Sequence, residues 1–138
     1  MHTMSTRQPP TEAAPGLVRC AARAALALGR GPIDETLRRK AALVLLDFLG
    51  CRLEAARSAA GHRMLACADR AGGPLPAEGD ALVGGMLGHA LIREDMHVPS
   101  GTHPGVVILP AMLALARREG LSGAALVRGI VAGYHLMG

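Results

Sequence analysis

The sequence predicts an all-α fold, an antiparallel array of about six helices. Half of the residues are hydrophobic (50%), yet the chain holds one Phe, one Tyr and no Trp. A core of Ala, Leu, Val and Met favours close-packed helices, because strands draw on β-branched and aromatic residues. Apolar residues also recur at helical spacing along most of the chain, between clusters of Gly and Pro that end each run. At 138 residues the length suits one domain with its own core.

Residues 1–15 carry Gln, Thr and three of the nine prolines, and are expected to form a disordered tail ahead of a domain spanning 16–138. Gly16 to Leu28 reads as a first helix with Val18, Ala22, Ala25 and Leu26 on one stripe, stopped by the GRGP run at 29–32. Asp34 is the expected N-cap of the clearest helix, with Glu35 in its first turn, where the helix dipole favours negative charge. Leu37, Ala41, Val44, Leu45, Phe48, Leu49 and Leu53 share its apolar spacing, so a buried scaffold helix is expected, with Asp47 a capped or solvated group. A shorter helix over Gly61–Ala71 and a Gly/Pro loop over 72–79 follow.

Asp80 is the expected N-cap of the next helix, which runs to Ala90. Gly84, Gly85 and Gly88 inside it each cost roughly 1 kcal/mol against Ala. Either they admit another backbone or a ligand, or they serve simple Ala/Gly packing. Pro104 fits the first position of a further helix, Pro110 should kink it, and Glu119-Gly120 closes it. Ser122 caps the last, which carries Leu126, Val127, Ile130, Val131 and Tyr134 on one face.

Composition narrows the partners. The net charge of +4 would suit phosphate, but the arginines are scattered over every helix and almost no aromatic surface exists for bases, so no nucleic-acid partner is expected. No apolar run approaches the roughly 20 residues of a membrane span, so no membrane partner is expected either. Cys20, Cys51 and Cys67 read as small buried hydrophobes in a reducing, cytoplasmic setting. No P-loop and no GxGxxG after a strand support nucleotide binding.

Chemistry concentrates between Leu91 and Pro110, where Arg93, Glu94, Asp95, His97 and His103 lie within eleven positions on a Ser/Gly/Pro loop between helices. His103 falls beside the N-cap of the helix that Pro104 starts, where the positive dipole end favours the neutral ring. The following amides, with Ser100 and Thr102, suggest an anion site, and Arg93 a bidentate clamp. Asp95 or Glu94 would orient one of the histidines. These parts suit proton removal beside a carboxylate. His89, His97, His103 and Asp95 are also suitable metal ligands, but their spacing matches neither HExxH nor paired CxxC, and no metal is expected.

Three segments, LRRKAALVLLDFLGCRLEAA (37–56), GGMLGHALIREDMH (84–97) and THPGVVILPAMLALARREGLSGAALVRGIVAGYHLMG (102–138), resemble the amino-terminal part of the MmgE/PrpD family. That family includes 2-methylcitrate dehydratase, cis-aconitate decarboxylase and iminodisuccinate epimerase. The resemblance implies a cofactor-independent, usually homodimeric enzyme with a large helical domain, a smaller α+β lid and an active site between them. It implies small polycarboxylate substrates, His103 as acid/base or oxyanion stabiliser, and Asp95, the last acid of the family's LD(F/Y)DD motif, as its partner. Arg93 and Thr102 would anchor the anion, with His97 and Ser100 beside them. This chain reads Leu91-Ile92-Arg93-Glu94-Asp95 there, so Ile92 replaces the first acid, and Gly84 stands for the usual Asn. Family members are longer, with a catalytic lysine, a further histidine and the lid beyond the equivalent of Gly138. The expectation is therefore a partial domain with little turnover alone, working as a homodimer or with a chain that carries the missing half. The alternative is a non-catalytic helical interaction module.

Overall fold

Among the described residues six helices follow one another: α1 (Leu17–Arg30), α2 (Glu35–Ala56), α3 (Ala59–Asp69), α4 (Ala77–His89), α5 (Pro104–Glu119) and α6 (Gly123–Met137). The structure, a computed structural model, describes residues 16–70 and 72–137, so the tail expected over 1–15 lies outside the described residues. Among the described residues there is no strand, only an isolated antiparallel bridge between His97 and Thr102. No described helix is long and apolar enough to cross a membrane.

Local chemistry sets most helix ends. The Asp34 side chain accepts the Leu37 N–H at 2.8 Å, the expected cap of α2. Ser58, which the sequence reading passed over, caps α3 by accepting the Gly61 N–H at 3.0 Å, so that helix starts at Ala59. A Cβ on Gly61 would lie 1.9 Å from the Ala55 carbonyl oxygen, so this tight α2–α3 corner requires glycine. Asp80 is not the N-cap of α4. Pro76 holds that position, where its missing N–H matters little, and Asp80 sits in the first turn, paired with Arg117 at 3.0 Å. Gly120 ends α5 with φ +61°, and Ser122 Oγ accepts the Ala125 N–H at 3.2 Å at the start of α6.

Helix α5 is the central element, antiparallel to α4 on one side and to α6 on the other. Leu109 is fully buried and clusters with Ala41, Phe48 and Ile130. The α4 glycines answer the question left open by the sequence, since it is α5 and α2 that they admit. A Cβ on Gly85 would fall 2.9 Å from the Val106 carbonyl oxygen, and one on Gly88 would fall 2.5 Å from the Phe48 ring. Pro110 lies inside a single uninterrupted α5 and is buried. It cannot donate to Val106 four residues back, and that carbonyl is where the Gly85 backbone approaches.

Two packing expectations need correction. Helix α2 buries Ala41, Phe48, Cys51 and Ala55, but leaves Leu53 68% exposed, with Leu43 and Leu46 beside it also turned outward. On α1, Val18, Ala22 and Leu26 face outward, while Ala21, Ala24, Ala25 and Leu28 are half-buried. Cys51 is buried as expected, whereas Cys20 and Cys67 are exposed.

Candidate active site

The segment between α4 and α5 is folded by its own polar groups. His97 donates its backbone N–H to the Thr102 carbonyl at 2.8 Å, and residues 98–101 turn between them, with Gly101 at φ +65°. Ser100 Oγ links the two sides, lying 2.7 Å from His97 Nδ1 and 2.8 Å from Thr102 Oγ1. The structure thus joins His97, Ser100 and Thr102 into one chain of hydrogen bonds. Ile92 has φ +50°, a left-handed conformation that costs a β-branched residue energy.

Asp95 holds the start of α5. Its Oδ1 accepts the Gly105 N–H at 3.0 Å, and its Oδ2 accepts the Tyr134 hydroxyl at 2.7 Å. Burial, reinforced by this hydrogen bond to the Asp95 charge, pushes the Tyr134 phenol far above its ordinary 10. A Cβ on Gly105 would lie 2.3 Å from Asp95 Oδ1, so the carboxylate reaches the helix only because that residue is glycine. The amide end that the sequence assigns to a substrate anion therefore already has a resident carboxylate.

His103 occupies the N-cap position of α5, as expected, and makes no side-chain cap bond. Its Nδ1 lies 3.0 Å from the Asp95 backbone carbonyl and 3.3 Å from Glu94 Oε1. Both are acceptors, so this nitrogen carries the proton, and in the neutral ring Nε2 keeps the lone pair. The link from Asp95 to His103 thus runs through the main chain, and the carboxylate facing the ring belongs to Glu94. His89, the last residue of α4, directs its own Nδ1 at the same Glu94 Oε1, and the two rings meet edge to face with centroids 5.3 Å apart.

The Glu94 side chain is only 1% exposed, while the rings of His89 (51%) and His103 (27%) reach solvent. Burial disfavours the Glu94 charge, but the backbone N–H dipoles of Glu94 and Arg93 and the His89 ring outweigh it and hold the acid below its ordinary 4.5. Arg93 does not join this group through its side chain bonds: its Nη1 donates to Glu54 Oε1 at 2.6 Å, in an exposed pair with α2.

Sequence reasoning thus placed His103, Asp95 and the 97–102 loop in one cluster and left Glu94 as an alternative orienting acid. It considered His89 only as a metal ligand and gave Tyr134 no part beyond its apolar helix face. No periodicity marks a buried acid in a loop. The available signal was Tyr134 itself, since a tyrosine on an apolar helix face needs a partner for its hydroxyl.

A search of curated proteins and one of solved structures returned no match. The family model of the MmgE/PrpD N-terminal domain matches residues 21–138, most of the chain, and the chain belongs to the MmgE/PrpD family.

Proposed function

We propose that this domain supplies one wall of an acid–base active site in a lyase or isomerase (dehydratase, decarboxylase or epimerase) acting on a small polycarboxylate without an organic cofactor. The observation that carries the reading is the anchored ring of His103, whose Nδ1 lies 3.0 Å from the Asp95 carbonyl oxygen, an acceptor that calls for the proton on that nitrogen. An imidazole anchored on one nitrogen presents the other to a substrate C–H or leaving group, the arrangement general acid–base catalysis needs. Asp95 positions the ring by fixing the first turn of α5, and Glu94 stabilises the imidazolium that forms when Nε2 takes a proton. Arg93, released from its exposed pair with Glu54, anchors a substrate carboxylate together with Thr102, His97 and Ser100. The odd number of widely spaced cysteines supports a reducing, cytoplasmic setting.

A homodimer, or a complex with a chain bearing further family segments, completes the site in this reading. The test is turnover of cis-aconitate and 2-methylcitrate by the pure chain, alone and mixed with such a partner. A rate that vanishes in His103→Ala supports the proposal, and an equal rate in that variant refutes it.

A second reading, a non-catalytic interaction module, is favoured by the outer face of α2, where Leu43, Leu46 and Leu53 are more than half exposed. Sedimentation separates the two. A stable dimer that stays inert with every partner supports the module; a complex that gains turnover supports the enzyme.

A further inference from the structure

His89, Glu94 and His103 come from three places in the chain, the end of α4, the connecting segment and the start of α5. Each offers one ligand atom within 4.8 Å of the others. Both ring Nδ1 atoms converge on Glu94 Oε1. Its other oxygen, Oε2, is buried and has no hydrogen-bond partner among the described residues. A buried carboxylate oxygen left in that state is costly, more so when the group is charged. Two Nδ1–H groups converging on one carboxylate already resemble the donor set of a cation with its charge spread over two protons.

We propose that these three side chains form a site for a divalent transition-metal ion of the zinc class. Two imidazoles and one carboxylate suit Zn²⁺, whose protein ligands at open sites number three. Mg²⁺ and Ca²⁺ prefer all-oxygen shells and fit this set poorly. The half-exposed His89 ring leaves the site open to solvent, so the ion enters without unfolding the domain. On binding at Nδ1, each neutral ring moves its proton to Nε2, and Glu94 stays ionised, so no net proton is released from neutral rings. This binding does not rest on the catalytic reading above. If both hold, the metal removes the Nε2 lone pair of His103 from proton transfer, and metal and turnover oppose each other.

The experiment titrates ZnCl₂ into chelator-treated protein by calorimetry and follows CoCl₂ by its visible d–d absorption. One equivalent binding at micromolar Kd or tighter (about −8 kcal/mol or better), with intense tetrahedral Co²⁺ bands, is expected. His89→Ala and Glu94→Gln should each weaken Zn²⁺ at least about tenfold, and His62→Ala/His135→Ala should leave it unchanged. Kd weaker than about 1 mM, or affinity that survives His89→Ala, or affinity lost in the His62/His135 variant, overturns the site. Should Glu94→Gln fail to fold, His89→Ala decides alone, because that half-exposed ring contributes little to packing.

Discussion

Tyr134 donates its hydroxyl to Asp95 Oδ2 at 2.7 Å, tying the last described helix to the residue that also receives the Gly105 amide. One carboxylate therefore joins α6, the α4–α5 segment and the first turn of α5. Because His103 donates its ring Nδ1–H to the carbonyl of the same Asp95, the position of the candidate acid–base group depends on this junction.

Tyr134 is the only tyrosine and the chain has no tryptophan, so its ionisation can be read alone from absorbance near the tyrosinate band. Burial and the Asp95 charge raise its folded pKa above the ordinary 10. A raised folded value means stability fully present below the unfolded pKa and lost as pH climbs above it. The native protein should show no tyrosinate signal at pH 10.5, the denatured protein should, and denaturation midpoints should fall above pH 10 in wild type but not in Tyr134→Phe. Equal titration of native and denatured protein would contradict the buried junction.

At neutral pH, Tyr134→Phe removes a hydrogen bond to an ionised group, an interaction worth about 1.5–3 kcal/mol. Gly105→Ala should cost at least as much, since its methyl would lie 2.3 Å from Asp95 Oδ1 and force the carboxylate off the helix end. Urea unfolding of the two single variants and the double measures the coupling. Additive losses would mean that the two contacts are independent rather than one junction.

The fold was legible because its signals are local. Asp34, Pro104, Gly120 and Ser122 mark their helix ends by side-chain or backbone chemistry that acts within four residues. Asp80 misled because acids are equally at home at the N-cap and in the first turn, and only its pairing with Arg117 on another helix tells them apart. Apolar spacing on α2 located the helix yet overstated its burial, since Leu53 matches the periodicity and still faces outward. The site was half legible for the same reason. Loop composition placed His103 and Asp95 together, but which acid faces the ring depends on main-chain direction through Ile92 and Arg93, which no residue pattern encodes.

Glycines make the helix packing testable by contrast. Gly88→Ala would drive a methyl to 2.5 Å from the Phe48 ring at the α2–α4 contact, and overpacking of this kind costs about 1–3 kcal/mol. Gly50 sits inside α2 with nothing within 4 Å of an added Cβ, so Gly50→Ala should instead stabilise by about 0.5–1 kcal/mol through backbone entropy. Opposite shifts in thermal midpoint are expected. A neutral Gly88→Ala would show that α4 and α2 do not approach as closely as described.

The catalytic reading separates chemistry from anchoring in the completed enzyme. His103→Gln keeps a similar volume at a partly exposed position but lacks a base, so kcat should fall about 10²–10⁴-fold with KM little changed. Arg93→Ala should do the reverse, raising KM while leaving kcat within a few-fold, because anchoring a distant carboxylate acts on the ground and transition states alike. Its stability should hardly move, since the Arg93–Glu54 pair is half or more exposed on both sides and such pairs contribute about 0–1 kcal/mol. Steady-state kinetics with a saturating partner chain checks both. If Arg93→Ala lost kcat as steeply as His103→Gln, the guanidinium would belong to the proton-transfer step, and the division of labour argued for these two side chains would fail.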